Sequence, residues 1–189
     1  SVREDYVNEK NTLTKELNEQ VRSLMGDTPI NLNSPEQLSW IIYSRRVRDK
    51  QYWANTIDPY MDQSDFNSLV SAGTERVYKT VAERCVECNG KGKVRRTKKD
   101  GTPFARETMC KSCSGIGYHF RPTKQVAGLR FKPPSAKWAS ANGFVTNKQS
   151  LEKLEAVARG KDMTDAEEFL AKIRSLSAID TYLSSFVDG

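Results

Sequence analysis

No stretch of the 189-residue sequence is apolar over the roughly 18–20 residues that a membrane-spanning helix needs. The N-terminus also lacks the succession of basic, apolar and small segments that marks a signal peptide. The expected setting is cytoplasmic, with no membrane partner. Acidic residues form no cluster of the kind two-metal chemistry requires, so the chain is not expected to be an enzyme by itself. Histidine occurs once, as His119, and cysteine four times, all between Cys85 and Cys113. Apart from a short motif around those cysteines there is no internal repeat.

The cysteines stand in two matched knuckles, Cys85-Val-Glu-Cys88-Asn-Gly90-Lys-Gly92 and Cys110-Lys-Ser-Cys113-Ser-Gly115-Ile-Gly117, with 21 residues between Cys88 and Cys110. Two disulfides or a reactive dithiol are the alternatives. Reducing surroundings keep thiols free, and two matched CxxC pairs exceed what redox chemistry needs. A two-residue gap lets both thiolates of a pair reach one ion, and two pairs complete a tetrahedral shell. The expected cofactor is one structural zinc ion on Cys85, Cys88, Cys110 and Cys113. A shell of four thiolates leaves no position for substrate, so this metal folds the chain rather than catalyses. The glycine two places after each second cysteine suits a positive-φ turn that aims backbone N–H groups at sulfur. His119 is expected to be a bystander.

The net charge of +6 conceals a division. Residues 76–137 hold 16 Lys and Arg against 4 Asp and Glu, whereas the remainder holds 14 against 20. Such a patch beside an acidic body is the footprint of a nucleic-acid contact surface, although a merely solvated basic face has the same composition. Lys91, Lys93, Arg95, Arg96, Lys98, Lys99 and Arg106 carry much of it, and Arg45, Arg46, Arg130 and Lys132 add to it.

Helical periodicity places a long amphipathic helix from about Arg3 to Met25, stopped by Gly26 and Pro29. Ser34, Pro35 and Gln37 open a short helix to Tyr43 with a capping box. Gln51–Gln63 has no clean period and reads as an ordered connection. A helix opening at Ser64, with Phe66, Leu69, Val70, Val77 and Val81 on one face, is expected to lead to Cys85. Asp100-Gly101 between Lys93–Lys98 and Pro103–Met109 predicts a β-hairpin. Tyr118–Gly143, punctuated by Pro122, Pro133 and Pro134, reads as irregular. Thr146 with Gln149 opens a helix to about Arg159, and Thr164 with Glu167 opens one from Asp165 to Phe186. The expected fold is mainly α, an antiparallel helical body with long helices at both ends of the chain. Residues 1–50 and 138–189 form the body, and 51–137 an inserted helix and zinc-bound hairpin. Antiparallel end helices bring the termini together.

The segment Ile30-Asn31-Leu32-Asn33-Ser34-Pro35-Glu36-Gln37-Leu38 resembles the FNxxSPKQL motif in the thumb of family A (polymerase I-like) DNA polymerases. The order of neighbouring elements is similar. A long helix comes before the motif, and a short helix and a basic loop follow it. Gly143-Phe144-Val145-Thr146 then introduces a further helix, and a closing helix runs from Ala166 to Asp188 with Asp180-Thr181-Tyr182 near its end. The resemblance covers residues 6–50 and 138–189 and implies a grip on primer–template duplex DNA. It implies phosphate contacts from Asn31 and Ser34, the latter equally suited to capping the helix, and from Arg174, although Ala178 and Asp180 stand near the lysine the family places there. Residues 51–137 have no counterpart in the ordinary thumb, and such an insertion points to a viral polymerase acting in the host cytoplasm. No fingers-type helix of spaced Arg and Lys and no exonuclease acidic motif is present, so palm and fingers are expected to be supplied by further polymerase domains. A processivity partner is a second expected contact, with the fragment itself monomeric. The alternative is a protein-interaction module, because CxxCxGxG knuckles also resemble the zinc region of DnaJ-type chaperones, which uses four knuckles where this chain has two.

Overall fold

The computed structural model describes residues 1–187. The first helix, α1 (Val2–Met25), turns Leu17, Val21 and Met25 inward and ends at Gly26, whose φ is 83°. Glycine is required there, because a Cβ would overlap the Thr80 carbonyl. Ser34 caps α2 (Pro35–Tyr43), its Oγ accepting from the Gln37 N–H at 3.3 Å. The expected capping box closes only halfway: the Gln37 side chain instead accepts from the Asn31 N–H at 2.7 Å, tying down the loop before the helix. Leu38, Ile41, Ile42 and Tyr43 make α2 apolar nearly all round, and it is the central element of the body.

After β1 (Arg45–Val47), Asp49 caps a short helix, α3 (Lys50–Thr56), where the sequence shows no period. A two-turn helix has too few residues to display one; its single buried side chain, Trp53, anchors it by edge-to-face packing on Phe144 at 5.6 Å. The next helix, α4 (Gln63–Gly73), starts where expected but stops well short of Cys85. Gly73 lies against the Trp53 ring, and the Thr74 hydroxyl donates to the Val70 carbonyl and ends the turn. Thr74, Val77, Thr80 and Val81 then follow as β-branched residues that favour extended chain. They enter β2 (Thr74–Arg76), paired with β1, and β3 (Tyr78–Arg84).

The knuckles and hairpin follow, with β4 (Lys93–Val94) and β5 (Thr108–Met109) antiparallel and a further bridge between Thr97 and Pro103. The chain then returns as β6 (Tyr118–Val126), pairing with β3 from Arg84↔Tyr118 to Tyr78↔Val126. This nine-residue strand corrects the reading of Tyr118 onward as irregular. Pro122 suggests a breaker, but a two-stranded ribbon gives each strand an open edge, where proline is tolerated. Beyond it, the N–H groups of Leu129 and Phe131 donate to the carbonyls of Ile41 and Ile42 at 2.7 and 3.0 Å, satisfying the C-terminal end of α2.

A 3-10 turn over Ala136–Trp138 leads into the small hairpin of β7 (Ala139–Ser140) and β8 (Gly143–Phe144). Phe144 reaches Tyr43, with ring centroids 5.0 Å apart. Asn147, one residue after the expected Thr146, caps α5 (Lys148–Gly160). The closing helix, α6 (Thr164–Val187), packs on both α5 and α1. Tyr6 meets Tyr182 at 4.3 Å, Lys10 pairs with Asp180 at 2.7 Å and Glu16 with Lys172 at 3.2 Å, so α1 and α6 run antiparallel. Asp188, the expected end of this helix, lies outside the described residues.

The long helix pair is as expected, but the class is not mainly helical. Helices hold 48% of the chain, and four two-stranded antiparallel sheets supply the rest of the regular structure, a mixed helix-and-sheet architecture. The main core joins Leu17, Val21, Ile41, Ile42, Tyr43, Phe169 and Leu170 with Trp53, Phe66, Leu69, Ala127 and Phe131. The cysteines form a separate cluster with Val94 as the partly buried apolar side chain packed against it. Exposed ion pairs contribute little beside this burial, which is worth roughly 1.5–3 kcal/mol per large aliphatic side chain.

Trp53 is fully buried and its indole N–H donates to the Ser140 carbonyl. Trp53→Ala is expected to lower the unfolding free energy by about 3–5 kcal/mol, measured by denaturant titration at fixed metal content. A loss under about 1 kcal/mol would show that α3 is not part of the cooperative core.

Candidate metal centre

Each cysteine knuckle is a tight backbone turn that repeats in the other. Cys85 and Cys110 open them, and their carbonyls accept from the Gly90 and Gly115 N–H groups at 3.1 and 3.0 Å. Asn89 and Ser114 take φ of 53° and 54°, and Gly90 and Gly115 follow at 80° and 83°. The positive φ expected at these two glycines is present. The second glycine of each motif also donates to sulfur, Gly92 to Cys88 Sγ at 3.2 Å and Gly117 to Cys113 Sγ at 3.1 Å.

These second glycines also join the two turns. The Cys85 N–H donates to the Gly117 carbonyl and the Cys110 N–H to the Gly92 carbonyl, both at 2.9 Å. A Cβ on Gly92 would overlap the Gly115 carbonyl, and one on Gly117 the Gly90 carbonyl. The knuckles therefore pack back to back with approximate two-fold symmetry, which explains why the repeat is CxxCxGxG and not CxxC alone.

The result is four buried thiols whose Sγ atoms lie within 4.8 Å of one another. Cys85 and Cys110 are 3.9 Å apart and Cys88 and Cys113 3.7 Å, far beyond a disulfide bond. A tetrahedral ion with bonds of about 2.3 Å places its sulfurs about 3.8 Å apart. The sulfur set thus fits a metal ion. His119 stays outside the ligand set; its Nε2 lies 3.3 Å from the Ser112 hydroxyl, on the Cys85 side of the cluster.

The four sulfurs hold protons unequally. The Cys88 backbone N–H, with help from His119, Cys88 and Ser112 side chains, pulls Cys85 down to about 6 against its burial. At Cys110 the Cys113 backbone N–H pulls downward, but burial and the neighbouring Cys113 and Cys85 sulfurs hold it up at about 11. Cys113 is lowered, burial being outweighed by the Gly117 N–H and the Cys88 sulfur.

The basic residues singled out in the sequence fall into two groups. On the hairpin, Lys91, Lys93, Arg96, Lys98, Lys99 and Arg106 are exposed and have no ion-pair partner among the described residues. Arg95 is instead a brace: its guanidinium donates to the Phe104 and Ala105 carbonyls at 2.9 and 3.0 Å and pairs with Glu107. In the body, Arg46 pairs with Glu75 at 2.7 Å. Arg45 is half-buried against the Thr74 hydroxyl, and burial together with the nearby Arg76 lowers its pKa. Arg174 faces the buried Glu155, donating through Nε and, at 2.8 Å, through Nη2. Arg130 and Lys132 are exposed beside the C-terminal end of α2, and the Asn31 side chain accepts from the Asn33 N–H at 3.0 Å. Comparison of the chain with protein-family models, with curated proteins and with solved structures returned no match.

Two outcomes test this centre. Four thiols must be deprotonated to bind a metal as thiolates, and Cys110 keeps its proton to about 11, so uptake at pH 7 is expected to release protons. Affinity then falls with decreasing pH, more steeply below about 6, where Cys85 is protonated too. Proton release is read with an indicator dye in weak buffer, and pH-independent uptake between 6 and 8 would exclude a tetrathiolate site. Separately, Gly117→Ala is expected to weaken metal affinity at least tenfold, the scale of outer-shell changes, whereas Gly160→Ala, helical and with open space around it, is not.

Proposed function

We propose that this chain is a non-catalytic, nucleic-acid-gripping segment akin to the thumb of a family A DNA polymerase. One structural zinc ion on Cys85, Cys88, Cys110 and Cys113 holds a basic hairpin against the phosphates of primer–template duplex. The observation that carries the reading is the set of six exposed, acid-free cations on a hairpin anchored at the four sulfurs. Side chains held this way contact phosphates with little loss of order, and such contacts position a duplex without reading its sequence. Zinc suits four thiolates and a closed shell, and its role is to fold the arm.

The helical body supports the thumb comparison through the motif at Ile30–Leu38, the antiparallel end helices and the placement of Phe144 against α2. Palm and fingers would come from other domains of the same polymerase. A second reading, a docking module for a replication or host protein, draws on Val86, Met109 and Ile116, which are exposed around the knuckles.

The test is binding of zinc-loaded protein to blunt duplex across 50–200 mM salt. Replacing Lys93, Arg96, Lys98 and Lys99 together by alanine is expected to weaken binding and flatten the log–log salt slope by up to about 0.9 per lost phosphate contact. Unchanged affinity and slope would remove the hairpin from the interface. No duplex binding at low salt, with recovery of a defined protein partner, would favour the docking module.

A further inference from the structure

The tip of the hairpin carries an aromatic ring that the duplex grip does not use. Phe104 is 46% exposed and is flanked in sequence by Pro103 and Ala105. Its backbone is held on both sides: its N–H donates to the Arg96 carbonyl at 2.9 Å, and its carbonyl accepts from Arg95. The turn beneath it is equally fixed. The Lys98 N–H donates to the Thr102 carbonyl at 2.7 Å, and both the Thr102 N–H and hydroxyl donate to Asp100 Oδ1, at 2.9 and 2.6 Å.

The bracing also ties down the two acids of the hairpin. Glu107 pairs with Arg95, and Asp100 stays a carboxylate turned to Thr102, whose hydroxyl and N–H keep its pKa below the usual range. Cations outnumber them around the ring. Lys98 Nζ lies 5.8 Å from its centroid, and Arg96, Lys99 and Arg106 stand nearby on the same hairpin.

A rigid exposed aromatic among unpaired cations is the arrangement by which proteins hold unpaired nucleotides, the ring stacking on a base and the cations following the backbone. We infer that Phe104 is a stacking platform for an unpaired base, so that the hairpin engages a single-stranded segment adjoining the duplex. The inference rests on the nucleic-acid reading above and deepens it by naming the strand state at the tip. Phosphate contacts alone make no use of a ring, and a duplex offers no free base face away from its ends.

The experiment compares zinc-loaded full chain on two DNAs of equal paired length, one blunt and one with a ten-nucleotide single-stranded overhang carrying 2-aminopurine near the junction. Wild type is expected to prefer the overhang and to quench the 2-aminopurine fluorescence. Phe104→Ala should lower overhang affinity about tenfold, within the range for loss of one stacked base, while leaving blunt-duplex affinity unchanged. Phe104→Trp should keep both the preference and the quenching. Metal content and circular dichroism identical to wild type establish that the variants fold. Equal wild-type affinity for the two DNAs, or equal weakening of both by Phe104→Ala, overturns the stacking role and leaves the duplex grip standing. Absence of binding to either DNA at low salt overturns both.

Discussion

Four sulfur atoms confined within 4.8 Å of one another are the constraint on which the far part of this molecule depends. Among the described residues only Val94 is a partly buried apolar side chain against them, so burial supplies little of the stability of residues 85–117. Nor can the thiols supply it themselves: deprotonated they repel, and protonated they make only weak hydrogen bonds. A cation at their centre would reconcile the geometry, replacing mutual repulsion by attraction to the metal and making folding of the arm depend on it. The glycine contacts between the knuckles serve the same end, because any side chain at Gly92 or Gly117 would drive the two pairs of sulfurs apart.

An arm folded in this way is useful only if the body fixes its direction, and that is the task of the junction after α1. Gly26 lies so close to Thr80 that the chain joins the β3–β6 ribbon as a short third edge. Asp27 then accepts from the Ala82 N–H at 2.8 Å, its own N–H donates to the Thr80 carbonyl at 3.0 Å, and the hydroxyls of Thr28 and Thr80 are in contact. The ribbon thus leaves the body from a fixed seat on the end of α1. On the other side, the N–H groups of Leu129 and Phe131 are bonded to carbonyls of α2 and that of Gly128 to the Leu24 carbonyl of α1. Both strands of the ribbon are therefore held at the root by hydrogen bonds and at the far end by the sulfurs.

What was legible in the sequence was whatever is local or strictly periodic. The cysteine knuckles, the Asp100-Gly101 turn, the bounds of α2 and the two end helices follow from spacing, turn chemistry and 3.6-residue periodicity. What was not legible depends on long-range pairing. The helical pattern of Phe66, Leu69 and Val70 continues by coincidence through Val77 and Val81, and only the partner strand at Tyr118–Val126, itself masked by Pro122, makes those residues extended. Trp53 hides its helix for a related reason, since a single anchor residue has no period. Within the site, the ligands were legible but the duties of the glycines were not, because N–H donation to sulfur and close approach between knuckles are properties of two turns together. Arg95 looks like its basic neighbours until its bonds to the Phe104 and Ala105 carbonyls are seen.

The same distinction between engaged and disengaged cations separates the helical body from the four-cysteine arm. In the body, the cation that the family resemblance singles out is internally committed, since Arg174 pairs with the buried Glu155, and Lys10 and Lys172 likewise join α1 to α6. Removing such a cation would cost stability before it cost affinity. In the arm the relation is reversed, because Glu83 and Glu107 are paired with Arg121 and Arg95 while six hairpin cations have no ion-pair partner among the described residues. A surface whose charges are not needed for folding is free to give them to a phosphate, and it can do so without rearrangement. Under the proposed function, then, the arm would supply the electrostatic part of the grip and the helices its shape.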